Sequence, residues 1–186
     1  MKDKTVLRRG SLAHRVRQII LAGPEWLGHQ ALLRMSQHRR VLGIELSAYM
    51  LRDQYRRVFF GRVQRALELI ARYEPRRLAR IQRDVRTICG MSGGPNEYHR
   101  VGRAIMLSLP TVLASPPPEL AMVIVHEATH GRIDDHGIMY LAENRDRIET
   151  ACVRQETIFA RCLPGGDVLA RRKTCRNGWP ASSNGR

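Results

Sequence analysis

The sequence predicts an α+β fold, mostly helical, and three observations carry that prediction. Apolar residues recur at three- and four-residue steps through the middle of the chain, from Phe59 to Ile70 and again from Leu78 to Ile88. A short apolar run over residues 101–109, centred on Ala104, Ile105 and Met106, follows a glycine-rich loop and reads as a strand. Ser115-Pro116-Pro117-Pro118-Glu119 then supplies helix-start chemistry: a capping-type Ser, Pro in the opening turn and an early acid. With 186 residues, the chain suffices for one domain with its own core and is too short for two large ones. A hydrophobic fraction of 43% argues against wholesale disorder, and only 5% aromatics points to a core of Leu, Ile, Val and Met.

In chain order, Pro24 opens a first expected helix through Trp26, Leu27, Leu32 and Leu33, and a second is expected over residues 41–52. The next is sharper. Phe59, Val63, Ala66, Leu67 and Ile70 share one face, with Arg56, Arg57, Arg62 and Arg65 mostly on the other. Pro75 ends that helix and starts another, whose stripe is Leu78, Ile81, Val85 and Ile88; residues 85–89 read alternatively as a short strand. Residues 90–96 form a loop, and the helix opened by the proline run continues through Leu120, Val123 and Ile124 to a stop at Gly137. A last helix is expected over residues 142–163, ending at Pro164-Gly165-Gly166, with a flexible tail over 167–186.

The net charge is +15 and is unevenly spread: residues 1–110 hold 22 Lys and Arg against 8 Asp and Glu, residues 111–186 only 10 against 9. Arginine-covered helix faces account for most such charge, but the field also suits an anionic partner, nucleic acid or an acidic membrane surface. Cys89, Cys152, Cys162 and Cys175 show no C-x-x-C spacing, so reduced thiols and a cytoplasmic location are expected. Neither a secretory leader nor a membrane-spanning segment is expected, because arginines or prolines interrupt every apolar run.

The chemistry concentrates at His126-Glu127-Ala128-Thr129-His130. On a helix, residues four apart share a face, so His126 and His130 present two imidazole nitrogens to a single ion. Neutral imidazole suits zinc, and two histidines supply half of a tetrahedral shell. Glu127 falls beside the open position, where a carboxylate takes a proton from metal-bound water whose pKa zinc lowers to about 7. The same carboxylate can hand that proton to a leaving amine. Tyr140, His99 and several arginines are candidates for stabilising an oxyanion, and spacing does not choose among them.

An H-E-x-x-H motif entered through the buried run Ala121-Met122-Val123-Ile124-Val125, behind a strand, resembles the zincin superfamily of metallopeptidases over about residues 100–162. The resemblance implies one zinc ion per chain and a peptide or protein substrate. Glu149, on the following helix, looks like the third ligand of the gluzincin branch. Glu149, Cys152 and Glu156 share a face, so a further acid could stand behind the ligands, although Val153 occupies the position where many gluzincins carry one. Two rivals stay open for the third ligand. His136 matches the outer spacing of the metzincin pattern, but Ile133 stands where that pattern has the Gly of its turn; Glu143 lies near the start of the Glu149 helix. The resulting division is a basic helical region over 1–99, a zincin-like metal-site region over 100–166 and the tail, all in one compact domain.

Overall fold

Pairing of short strands sets the frame on which the helices sit. The computed structural model describes residues 37–48 and 51–170. The helix expected from Pro24 lies outside the described residues. Strands β1 (Gln37–Val41) and β2 (Ile44–Ala48) form an antiparallel hairpin closed by the two-residue turn Leu42-Gly43, both at positive φ (46° and 76°). This corrects the helix expected over residues 41–52. Ile44, Leu46, Ser47 and Ala48 are all buried, so two-faced burial hides the alternation that marks a strand. Across the hairpin, His38 Nδ1 lies 2.7 Å from Glu45 Oε1.

The chain then makes α1 (Asp53–Tyr73) and α2 (Pro75–Asp84), with Pro75 in the first turn of the second, and returns as β3 (Thr87–Met91) parallel to β2. The strand read as the alternative over residues 85–89 thus lies two residues later, and it takes Gly90 and Met91 from the loop expected over 90–96. A hairpin follows, β4 (Glu97–His99) against β5 (Ala104–Ser108), and β5 pairs parallel with β3. The sheet runs β1-β2-β3-β5-β4. Residues 37–99 thus contribute four strands as well as two helices, where a basic helical region with at most one short strand was expected. The strand expected over 101–109 narrows to β5, since residues 100–103 form the turn, with Arg103 at φ 49°.

After β5 come a short helix, α3 (Leu109–Ala114), then α4 (Pro117–Asp135) and α5 (Arg145–Cys162). Gly137, at φ 79°, ends the α4 segment as expected. Leu120, Ala121, Met122, Ile124, Val125 and Ala128 are buried around α4, which packs against α1 on one side and α5 on the other. One core joins Phe59, Leu67 and Ile70 of α1 to Ile88, Ile105 and Leu107 of the sheet and to Phe159 of α5. Residues 166–170 are helical again and Ala170 is buried, so the chain remains packed past the point where a tail was expected; residues 171–186 lie outside the described residues. No described helix is long and apolar enough to cross a membrane.

Candidate metal centre

The buried run of α4 fixes the helix axially and leaves its last turns facing an open cleft. On that face His126 and His130 bring their Nε2 atoms to 3.3 Å. Glu149, in the second turn of α5, sets Oε2 3.4 Å from His126 Nε2 and Oε1 3.6 Å from His130 Nε2. A tetrahedral ion with bonds of about 2.05 Å requires donor separations of about 3.3 Å. The spacing of the two Nε2 atoms fits that shell, each histidine faces a different oxygen of the Glu149 carboxylate, and all three side chains are partly exposed toward the cleft.

Behind the pair, His126 Nδ1 lies 3.4 Å from Glu156 Oε2, and Glu156 is only 1% exposed. A carboxylate there favours the proton on Nδ1 and so turns the Nε2 lone pair outward, as carboxylate–histidine–metal arrangements do. His130 has its pKa pushed down to about 4, by burial first and by neighbouring His126 second, with Glu149 opposing. Its ring is therefore neutral at pH 7, the form that ligates a metal. Tyr140 packs edge-on against the His130 ring at 5.5 Å between centroids and donates its hydroxyl to Glu149 Oε1 at 2.6 Å. Burial, then the Glu149 carboxylate, holds the Tyr140 hydroxyl above its ordinary pKa.

Glu127 is 7% exposed and lines the same cleft as His126, His130 and Glu149. The cleft is about 620 Å³ and is walled by Glu97 and Tyr98 of β4 opposite Tyr140 and Arg145. Its rim carries exposed apolar side chains, Ile138 (48%), Met139 (42%) and Leu141 (42%). Gly131, directly after the second histidine, admits the Tyr98 ring: a Cβ there would stand 2.6 Å from Tyr98 Cε2. An ion pair from Arg100 to Asp134 ties the end of β4 to the end of α4.

The remaining expected residues divide plainly. His136 is exposed at the end of α4, its Nδ1 2.7 Å from the Arg132 carbonyl oxygen, and does not line the cleft; Glu143 is exposed in the segment before α5 and does not line it either. Of the oxyanion candidates, Tyr140 lines the cleft and His99 does not. Cys152 had been read only as sharing a face with Glu149, yet its Sγ and the donor nitrogens of His126 and His130 all lie within 4.8 Å of one another. The i+3 step from Glu149 was the signal for it. Burial, then the Glu149 and Glu127 carboxylates, raises the Cys152 thiol above its ordinary pKa.

Comparison of the chain with protein-family models, with curated proteins and with solved structures gives no match.

Proposed function

We propose that the chain is a zinc-dependent hydrolase of peptide or amide bonds, in which His126, His130 and Glu149 hold one zinc ion. The observation that carries this reading is a pair of imidazole nitrogens 3.3 Å apart, faced by the Glu149 carboxylate and beside a buried carboxylate, Glu127, on an open cleft. Bound zinc supplies Lewis acidity, polarising a carbonyl and lowering the pKa of water. Glu127 acts as general base toward the attacking water and then returns the proton to the leaving amine. Glu156 holds the His126 ring in the ligating tautomer. Tyr140 and Arg145 line the cleft, and with the Tyr140 hydroxyl donated to Glu149, Arg145 is the donor we assign to a developing oxyanion.

A peptide suits the cleft. β4 is an edge strand whose Glu97 and Tyr98 line it, so an extended chain can pair there. The apolar rim at Ile138, Met139 and Leu141 suits an apolar substrate side chain. The test is direct: Glu127→Ala should retain zinc and lose hydrolysis of an unstructured protein by about 10²- to 10⁴-fold. An active, zinc-loaded Glu127→Ala protein would remove Glu127 from the mechanism. Cys89, Cys152 and Cys162 are free thiols, in keeping with the cytoplasmic location we propose.

A second reading, binding of a polyanion, rests on a separate feature. A groove of about 560 Å³ between the β1–β2 hairpin and the end of α2 is lined by Arg39, Arg40, Arg83, Arg86 and Arg103 against a single carboxylate, Glu45. Arg83 is paired with Asp84 and Arg103 with Asp135, whereas exposed Arg39, Arg40 and Arg86 have no ion-pair partner among the described residues. No aromatic side chain lines the groove, so it suits a phosphate backbone bound by charge more than a stacked base.

A further inference from the structure

We propose that Cys152 is a fourth protein ligand of the same centre, its thiolate closing the shell begun by His126, His130 and Glu149. The inference rests on the metal-site reading above and adds the ligand that decides whether the site is open.

Cys152 follows Glu149 by three residues on α5, so both side chains project from one face toward the histidines. Its Sγ lies within 4.8 Å of the donor nitrogens of both histidines. A shell with a zinc–sulfur bond of about 2.3 Å and zinc–nitrogen bonds of about 2.05 Å needs sulfur–nitrogen separations of about 3.6 Å. The thiol therefore has at most about 1.2 Å to close on each nitrogen. Cys152 is fully buried, so solvent does not compete for its sulfur. On coordination the S–H proton passes to solvent and a sulfur–metal bond forms; nothing is oxidised or reduced.

Four protein ligands make a closed site of the structural kind, whereas catalysis needs an open position. Glu149 is the ligand able to leave. Its side chain is 31% exposed, and the Tyr140 hydroxyl already holds Oε1 at 2.6 Å, a ready alternative partner off the ion. Were Glu149 to leave, His126, His130 and Cys152 would remain to hold the ion and one coordination position would be free. The resting protein is thus latent, and Tyr140 receives the displaced carboxylate.

Cobalt(II) loading of the full chain in oxygen-free buffer tests this. The background is C162S/C175S, which leaves Cys89 and Cys152 as the remaining thiols; Cys89 sits in a separate cluster with Ala104 and Met106. The expected spectrum combines visible d–d bands of a tetrahedral ion with an intense near-ultraviolet thiolate-to-cobalt band. Cys152→Ser should abolish the near-ultraviolet band and keep the visible ones, and Glu149→Gln should keep both. Visible bands without the thiolate band in the parent protein would overturn the Cys152 assignment and leave the three-ligand site standing. Absence of both would remove the metal site itself. Should Cys152→Ser fail to fold, X-ray absorption of the zinc-loaded parent decides: a sulfur neighbour at about 2.3 Å supports the assignment, and a shell of nitrogen and oxygen alone overturns it.

Discussion

At the residue scale, the position of Glu156 gives a prediction that leaves the proposed ligands untouched. Its carboxylate lies 3.4 Å from His126 Nδ1, and it is buried where water cannot replace it. Glu156→Gln keeps the shape of the side chain and removes the charge that favours the ligating tautomer. Zinc affinity is expected to fall about 10- to 100-fold, measured by competition with a chromophoric chelator. His130 gives a pH prediction for the metal-free protein. Its folded-state pKa is lowered from 6.5 to about 4, so between those values the unfolded chain binds more protons at this position. Stability from His130 is full above pH 6.5 and is lost as the pH falls toward 4. Urea midpoints of chelator-treated protein should decline across that window, and His130→Gln should flatten the decline. The residues of this centre were unequally legible in the sequence. His126, Glu127 and His130 announce themselves because helical spacing alone puts them on one face. Glu149 needed a resemblance, since a carboxylate 19 residues past His130 carries no local signal. Cys152 was passed over because a single buried cysteine is ordinary core until the opposing helix is known.

At the element scale, the junction of α4 with β4 depends on one missing side chain. Gly131→Ala would put a Cβ 2.6 Å from the Tyr98 ring, whose hydroxyl is in turn directed at the Asp84 carbonyl, 3.4 Å away. Neither helix nor ring can yield freely, so the substitution is expected to destabilise the fold by about 1–3 kcal/mol in denaturant titration. An unchanged midpoint would mean that Tyr98 has another place to go, and that the cleft wall is less firmly set than the packing implies. The long amphipathic helices were legible because a sustained stripe, as from Phe59 to Ile70, admits one periodicity only. The hairpin of β1 and β2 was not. Its five-residue strands are too short to show a period, and β2 buries both faces. Gly43 marked the turn, but an isolated glycine among apolar residues is also tolerated in a helix. β4, three residues long, draws its strand character from pairing with β5 and has no pattern of its own.

At the scale of the whole molecule, the α+β class followed from the mixture of helical stripes and a glycine-bounded apolar run. A single core draws on α1, the sheet, α4 and α5, so the basic first part and the helices of the candidate site share one packed body. The positive charge nevertheless has a place of its own, in the groove beside the β1–β2 hairpin. If that groove holds a nucleic-acid backbone, a single-stranded oligonucleotide should bind with affinity that falls steeply with salt. Substituting Arg39, Arg40 and Arg86 together with alanine should reduce the log–log salt slope by about 2 to 3, read by fluorescence anisotropy. An unchanged slope would assign the charge to solubility; binding to anionic vesicles alone would redirect the groove to a membrane surface. The proposed ion would join α4 to α5. Its most direct test is the metal content of the freshly purified native protein beside His130→Ala. The account predicts about one zinc per chain in the native protein and its loss from a folded His130→Ala variant. A folded native protein that neither contains zinc nor takes it up would contradict it.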